Sequence, residues 1–431
     1  MRIERKRTII VTKEYICSFL IAVLLVFVSG LGGLRYVLIP NDVIRGGFSF
    51  FLLLLVVYYI LKARRWDGNI FILQCGMLFT FLHHSAYIRE FNLIFLFSYI
   101  VMLGICLAAS HDISWAEIYL QIGMKVYLFF AVCTIVFLFL PDFYLNYVVE
   151  LFPETKERLI EWYCDGCMPG LTEHYSTNGI FMATGCIMAI AFFLKENVSK
   201  KKWCISIGLC FIALFLTGKR AHIVFVLLSA MVLYFFWLSN NKRKRLAKML
   251  FAVLFSISIF LLVLHFFPEL GVVFDRFKSV KKELSADGGG RGTLWFMAVR
   301  VFLQNPILGI GWGNFRELTY GKLKWAEQAH THNTYLQLLA ETGVVGFAVY
   351  MGWFIYMFCI AIKEFQYMRC YRKKDSLFLM TFSLGYQVFF YAYCVTGNPL
   401  YQYETYIPYF AACAIAIFYH KRNQRIRFQQ L

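Results

Sequence analysis

An all-α integral membrane protein of about twelve transmembrane helices, with a large outer loop between the ninth and tenth, is what this sequence predicts. Three observations carry that prediction. Of the 431 residues 60% are hydrophobic and 19% aromatic, more than a soluble core of this length can hide when soluble domains average about 45 to 50% apolar. Apolar stretches near the ~20 residues that cross a hydrocarbon core of about 30 Å recur along the chain. The formal net charge of +18 lies in short Lys and Arg clusters between those stretches, a membrane-topology pattern unlike the single basic stripe of a nucleic-acid binder.

The expected spans lie near residues 15–34, 46–62, 69–84, 91–109, 119–140, 177–194, 203–218, 221–239, 247–267, 343–362, 376–396 and 405–419. The first follows Arg2, Arg5, Lys6, Arg7 and Lys13 as a signal peptide would, but it is about 20 residues long and lacks a small-x-small cleavage site, so it reads as a retained helix. An even number of spans puts both termini on one side. With the amino terminus in the cytoplasm, the inner ends carry 26 Lys and Arg against 7 in the short outer loops. Nine more lie in the long loop 268–342, a class of segment that crosses largely regardless of charge. The expected arrangement is therefore multi-pass, with both termini cytoplasmic. Lys125, inside the fifth span, stands about 9 Å from its inner end at 1.5 Å per residue, close enough to snorkel.

Residues 1–431 then form one polytopic membrane domain, and only the outer loops 141–176 and 268–342 are large enough to carry chemistry. The cytoplasmic face offers short basic connectors, which leaves an ATP-driven or nucleic-acid function nowhere to sit. The 13 cysteines fall mostly within apolar segments. Cys164 and Cys167 form a lone pair, a local disulfide or two thiols, with no second pair to make a zinc site.

The glycine runs are not nucleotide sites. Gly288-Gly289-Gly290-Arg291-Gly292-Thr293 lacks the Lys-Ser/Thr ending of a phosphate loop, and Gly309-Ile-Gly311-Trp-Gly313 lacks a third correctly spaced glycine. Both read as flexible turns. Three polar groups stand out on the outer side: Thr217-Gly218-Lys219-Arg220, Arg291, and His330-Thr331-His332-Asn333. Arg291 opens a stretch, Thr293 to Phe302, that reads as a short amphipathic helix with Trp295 and Val299 four apart. If residues 330–341 are helical, His332, Tyr335, Leu336 and Leu339 share one face, and His330, Asn333, Thr334, Gln337 and Glu341 the other. The two histidines then have separate roles.

Arginine forks grip phosphate oxygens bidentately and never lose their charge, and a neutral imidazole is the commonest general base. Such groups suit a diphosphate leaving group and an attacking sugar hydroxyl, with no cofactor and no metal required. The loop Asn398 to Tyr406, with Tyr401 and Glu404, and the acidic stretch Glu154, Glu157, Glu161, Asp165 and Glu173 could touch sugar. Their preferred reading is an interfacial aromatic belt and a solvated loop.

At these residues the sequence resembles the O-antigen ligase and O-antigen polymerase family of bacterial inner-membrane glycosyltransferases, over about residues 205–350. The pieces are Thr217-Gly218-Lys219-Arg220; Arg291 with Trp295, Ala298, Pro306, Gly309, Gly311 and Phe315; and His330-Thr331-His332-Asn333-Thr334-Tyr335-Leu336 with Glu341, Gly343 and Gly346. A fainter echo is Gly170 to His174 with Asn178-Gly179. The resemblance implies metal-independent, inverting transfer of a glycan from an undecaprenyl-diphosphate-linked oligosaccharide to a sugar hydroxyl on the outer face. It implies Arg220, Arg291 and His332 as catalytic residues, with Lys219, His330, Asn333 and Trp295 in substrate contact. Lys219 departs from the family's usual small residue and adds a cation to the turn.

The implied partners are the lipid-linked donor, the bilayer, and an acceptor that is either a second lipid-linked repeat or lipid A core; no nucleic acid is expected. Polymerase, building O-antigen, capsule or exopolysaccharide, is favoured over ligase, which requires a lipopolysaccharide-bearing host. A lipid-linked oligosaccharide flippase is the rival from another class. A transporter should carry more charge at mid-membrane than Lys125 alone.

Overall fold

The computed structural model describes residues 13–62, 67–89, 92–195, 198–237, 291–319, 329–371 and 374–429. The segment 247–267, expected as the ninth span, and the run Gly288 to Gly290 lie outside these residues. Among the described residues there are helices and no strands. The principal helices are α1 (Lys13–Gly30), α2 (Asp42–Lys62), α3 (Gly68–Leu82), α4 (Leu93–Ala108), α5 (Ser114–Phe139), α6 (Tyr175–Phe193), α7 (Lys200–Leu216) and α8 (Arg220–Trp237). They continue as α9 (Arg291–Gln304), α10 (Thr334–Cys370), α11 (Lys374–Thr396) and α12 (Tyr403–Gln429).

Seven helices, α1, α2, α5, α6, α8, α10 and α11, are long and apolar enough to cross a membrane. Helices α3, α4, α7 and α12 cover other expected segments but fall short of that standard in length or composition. Side-chain caps set several starts: Asp67 accepts from the Asn69 and Ile70 amides at α3, Asn92 from Phe95 at α4, and Ser199 from Lys202 at α7. Each cap satisfies donors that a helix terminus leaves open.

The burial pattern suits lipid. Helices α6, α11 and α12 are almost wholly enclosed, whereas α2, α5 and α8 turn large apolar side chains outward, among them Phe50, Leu54, Phe129, Val132, Leu227 and Leu228. In water such a surface would be a liability; against acyl chains it costs nothing. Several charged and polar groups inside the bundle are paired, as hydrocarbon favours. Buried Glu364 on α10 meets His420 Nδ1 at 2.9 Å and the Asn423 amide at 2.7 Å on α12, and Arg35 stands 3.9 Å from Glu404. Lys125 is exposed among the described residues, as a lysine that snorkels toward the interface would be.

Helix α10 is broken at Gly343 (φ 62°, ψ −169°), and the break is filled by the chain that follows α9. The Val344 and Val345 amides donate to the Pro306 and Ile307 carbonyls at 2.8 and 3.3 Å, while Ile310 and Gly311 donate to the Ala340 and Glu341 carbonyls at 3.1 and 2.7 Å. Backbone groups freed by the break are thus satisfied within the protein, the condition for irregular backbone at membrane depth. A Cβ at position 343 would lie 2.2 Å from the Ile307 carbonyl oxygen, and this region of φ,ψ costs a non-glycine residue about 1 to 3 kcal/mol by itself. Gly343→Ala is expected to lower stability by at least ~2 kcal/mol, read as a drop in thermal midpoint in detergent. A midpoint equal to that of the unaltered chain would show that the wedge relaxes freely.

Candidate active site

The segments singled out in the sequence meet at one end of the bundle: the start of α6, the turn from α7 to α8, the start of α9 and the start of α10. Each is held there by identifiable bonds. The Met168 amide donates to the Leu216 carbonyl at 3.0 Å, and the buried Asn178 amide donates to the Met168 carbonyl and to Thr134 Oγ1, each at 3.0 Å. The strand of loop before α6 is thereby tied to the end of α7, directly ahead of Thr217. Gly179 on α6 permits the closest approach, since a Cβ there would lie 3.0 Å from His222 Nδ1 and from Lys219 Cγ. Lys219 Nζ rests 4.7 Å from the centre of the Tyr175 ring, and His222 packs edge-on against Tyr393 on α11 at 4.6 Å.

Helix α9 runs from Arg291 to Gln304 and buries Leu294, Ala298 and Val301 against Phe315 and Ala340. That corrects the face expected from Trp295 and Val299. Val299 is 42% exposed, because α10 and the residues around Phe315 lie on the Leu294 side. Trp295 instead donates from Nε1 to the Thr331 carbonyl at 3.0 Å. Arg291, on the first turn of α9, and the histidine segment are therefore fixed relative to each other twice, by Trp295 and by the wedge at Gly343.

The helix after the histidines begins at Thr334, not at 330, with Asn333 as its cap: Asn333 Oδ1 accepts from the Leu336 amide at 3.1 Å. Thr331 Oγ1 donates to the Asn333 carbonyl at 2.7 Å, and the Thr334 amide donates to the Gly397 carbonyl at 3.0 Å. The tight loop so formed leaves His332 at φ 52° and sends the two imidazoles to different places, as the helical reading also concluded on other grounds.

His330 turns inward. Gln337 Nε2 donates to His330 Nδ1 at 2.8 Å and to Glu341 Oε1 at 3.1 Å, while Asn398 Nδ2 donates to Gln337 Oε1 at 2.5 Å. Tyr401 donates to Glu341 Oε2 at 2.5 Å and packs its ring, tilted by 49°, 5.1 Å from that of His330. Burial first, then the charges of Arg316 and His332, push His330 down to about 3. His330, Asn333, Trp295 and Tyr401 are thus engaged in holding the loop, and Glu404 is paired with Arg35 at 3.9 Å.

His332 turns the other way, toward the cations. Crowding by protein atoms first, then Arg291 and Lys219, push its imidazole down from 6.5 to about 4. Its ring keeps an exposed edge, so water screens part of that effect and titration is expected between 4 and 6.5. At neutral pH His332 is an uncharged imidazole, open to solvent and within electrostatic reach of Arg291 and Lys219. Arg220 opens α8 half-buried, one residue beyond Lys219. Among the described residues, no group of three His, Cys, Asp or Glu side chains is placed to hold a metal ion.

Residues 205–351 match the family model described as O-antigen ligase. Over this domain-sized stretch, about a third of the 431 residues, the chain is similar to O-antigen ligases. That stretch contains Lys219, Arg220, Arg291 and His332, together with the wedge between α9 and α10. Comparison with curated proteins finds no match. The stretch is completed by residues outside it: Asn398 and Tyr401 brace His330, and the loop before α6 brings in His174. The sequence offers Asn398 only within a loop that could touch sugar, and His174 only in the fainter echo of the family motif, with no role of its own for either. Cys164 is exposed and Cys167 buried, and no disulfide joins them.

Proposed function

We propose that the protein transfers a glycan from an undecaprenyl-diphosphate donor to a sugar hydroxyl at the outer face of a bacterial plasma membrane, as a polysaccharide polymerase. The similarity to O-antigen ligases supports the general class of reaction. The observation that carries the finer reading is the meeting of Arg291, Lys219 and an uncharged His332 at one end of the bundle. That end lies opposite the basic connectors around Lys200 to Lys202 and Lys363 to Lys374, which the positive-inside rule assigns to the cytoplasm.

In this reading His332 takes the proton from the acceptor hydroxyl as its oxygen attacks the anomeric carbon. The bond from that carbon to the phosphate oxygen breaks, and the electron pair leaves on undecaprenyl diphosphate. Attack from the face opposite the leaving group inverts the centre. Arg291 and Lys219, with Arg220 beside them, stabilise charge that grows on the diphosphate; cations fixed before the reaction are worth most there. The imidazolium formed returns its proton to water through its exposed edge. These cations supply the charge stabilisation that a divalent metal gives other phosphate-leaving reactions, so chelator treatment is expected to leave transfer intact.

The test is incubation of the purified chain with a defined undecaprenyl-diphosphate oligosaccharide, followed by gel analysis. A ladder of products is the expected result for a polymerase. A single addition, seen only when lipid A core is supplied, would move the assignment to ligase. No product with either acceptor would sink the reading.

A further inference from the structure

Beside His332 stands a second histidine that the proposed mechanism does not use. His174 caps α6, its Nδ1 accepting the Ser176 amide at 2.9 Å. Its backbone is pinned by Thr172 Oγ1, which donates to the His174 carbonyl at 2.8 Å. Its ring packs against Trp162, tilted at 4.3 Å, and Tyr175, stacked at 4.7 Å, and those two rings are 5.2 Å from each other. Tyr175 also meets Lys219, whose ammonium sits 4.7 Å from the centre of that ring. His174, Tyr175 and Lys219 therefore form one assembly, and His332 lies within electrostatic reach of it.

Two facts limit what this imidazole can do. With Nδ1 occupied as an acceptor, the ring proton of the neutral form must be on Nε2. Burial first, then Lys219, Arg158 and His332, push its pKa down to about 3, so it stays neutral at any physiological pH. It has no lone pair available for a base. What remains is one N–H donor of fixed direction among cations, and a neutral imidazole donor in a cationic site suits an oxygen that is gaining negative charge.

We propose that His174 donates its Nε2–H to an oxygen of the donor's diphosphate, dividing the work with His332, which handles the acceptor's proton. This rests on the glycan-transfer reading above and adds a residue outside the O-antigen ligase-like stretch to the substrate-contacting set.

The test compares two substitutions in the purified full chain, reconstituted with a defined undecaprenyl-diphosphate oligosaccharide. His174→Asn keeps a good helix cap but loses the distant donor. His174→Gln places an amide N–H near the former Nε2. Expected is a fall of about 10²-fold in kcat for the Asn chain, typical of losing one preorganised donor, with the donor KM, the thermal midpoint and the acid limb of the pH profile unmoved. The Gln chain should recover at least ~10-fold of that loss. Near-full activity of the Asn chain, or loss in it without recovery in the Gln chain, overturns the proposal, as does a loss that tracks thermal midpoint. If the unaltered chain transfers nothing from this donor, the transfer reading falls and this one with it; if it transfers and the Asn chain does too, only the role of His174 falls.

Discussion

Arg291→Ala is expected to reduce glycan transfer by about 10²- to 10³-fold, the range seen when one preorganised charge stabiliser is removed, while the protein inserts at normal abundance. The two halves of that expectation have different sources. The loss follows from the position of Arg291 on the first turn of α9, where its charge acts on His332. The preserved fold follows from the face α9 buries, which consists of Leu294, Ala298 and Val301 and omits Arg291. Arg291→Lys keeps a charge but not the planar fork, so it should regain less than about tenfold. Polymer length on a gel, beside a blot for the protein, separates these outcomes. A ladder of unchanged length from Arg291→Ala would remove arginine from the mechanism.

The helical membrane class was legible because it depends on properties that act over one or two turns. Runs of about 20 apolar residues and the alternation of basic connectors are local; the Asn333 cap is local too, but the reading that ran helix from 330 passed over it. What could not be read depends on partners far along the chain. His330 was grouped with Gln337 and Glu341 by assuming helix from 330. The grouping holds, but through a loop closed by Asn398 and Tyr401, more than 60 residues away from His330. The glycines at 309 and 311 read as a flexible turn; they are wedged against the backbone of α10, since a Cβ on Gly309 would meet the Glu341 carbonyl carbon at 2.4 Å. A cross-chain fit of that kind has no local signature beyond the glycine itself. His174 went unassigned for the same reason: only the folded chain sets it beside Lys219 and His332.

His332→Ala is expected to cost about 10²- to 10⁴-fold in kcat, the usual contribution of a general base, and the pH dependence of the unaltered chain distinguishes a base from a mere contact. Because the His332 pKa is lowered from 6.5 toward about 4, the imidazole stays uncharged through neutral pH, and kcat/KM should be level there. Its acid limb should appear below pH 6.5 and vanish in His332→Ala. An acid limb that persists with the same midpoint in the Ala chain would belong to another group and would sink the assignment. Stability should follow the same sign. His174, His330 and His332 all titrate lower folded than unfolded, so the unfolded chain binds more protons as pH falls below about 6.5, and stability declines from there toward pH 3 to 4. Activity lost reversibly on that slope, at pH values where the thermal midpoint has barely moved, would be the mark of His332 taking up a proton at the site itself. The substituted chain supplies the control, since its stability keeps the contributions of the other two histidines while its residual activity no longer depends on this imidazole.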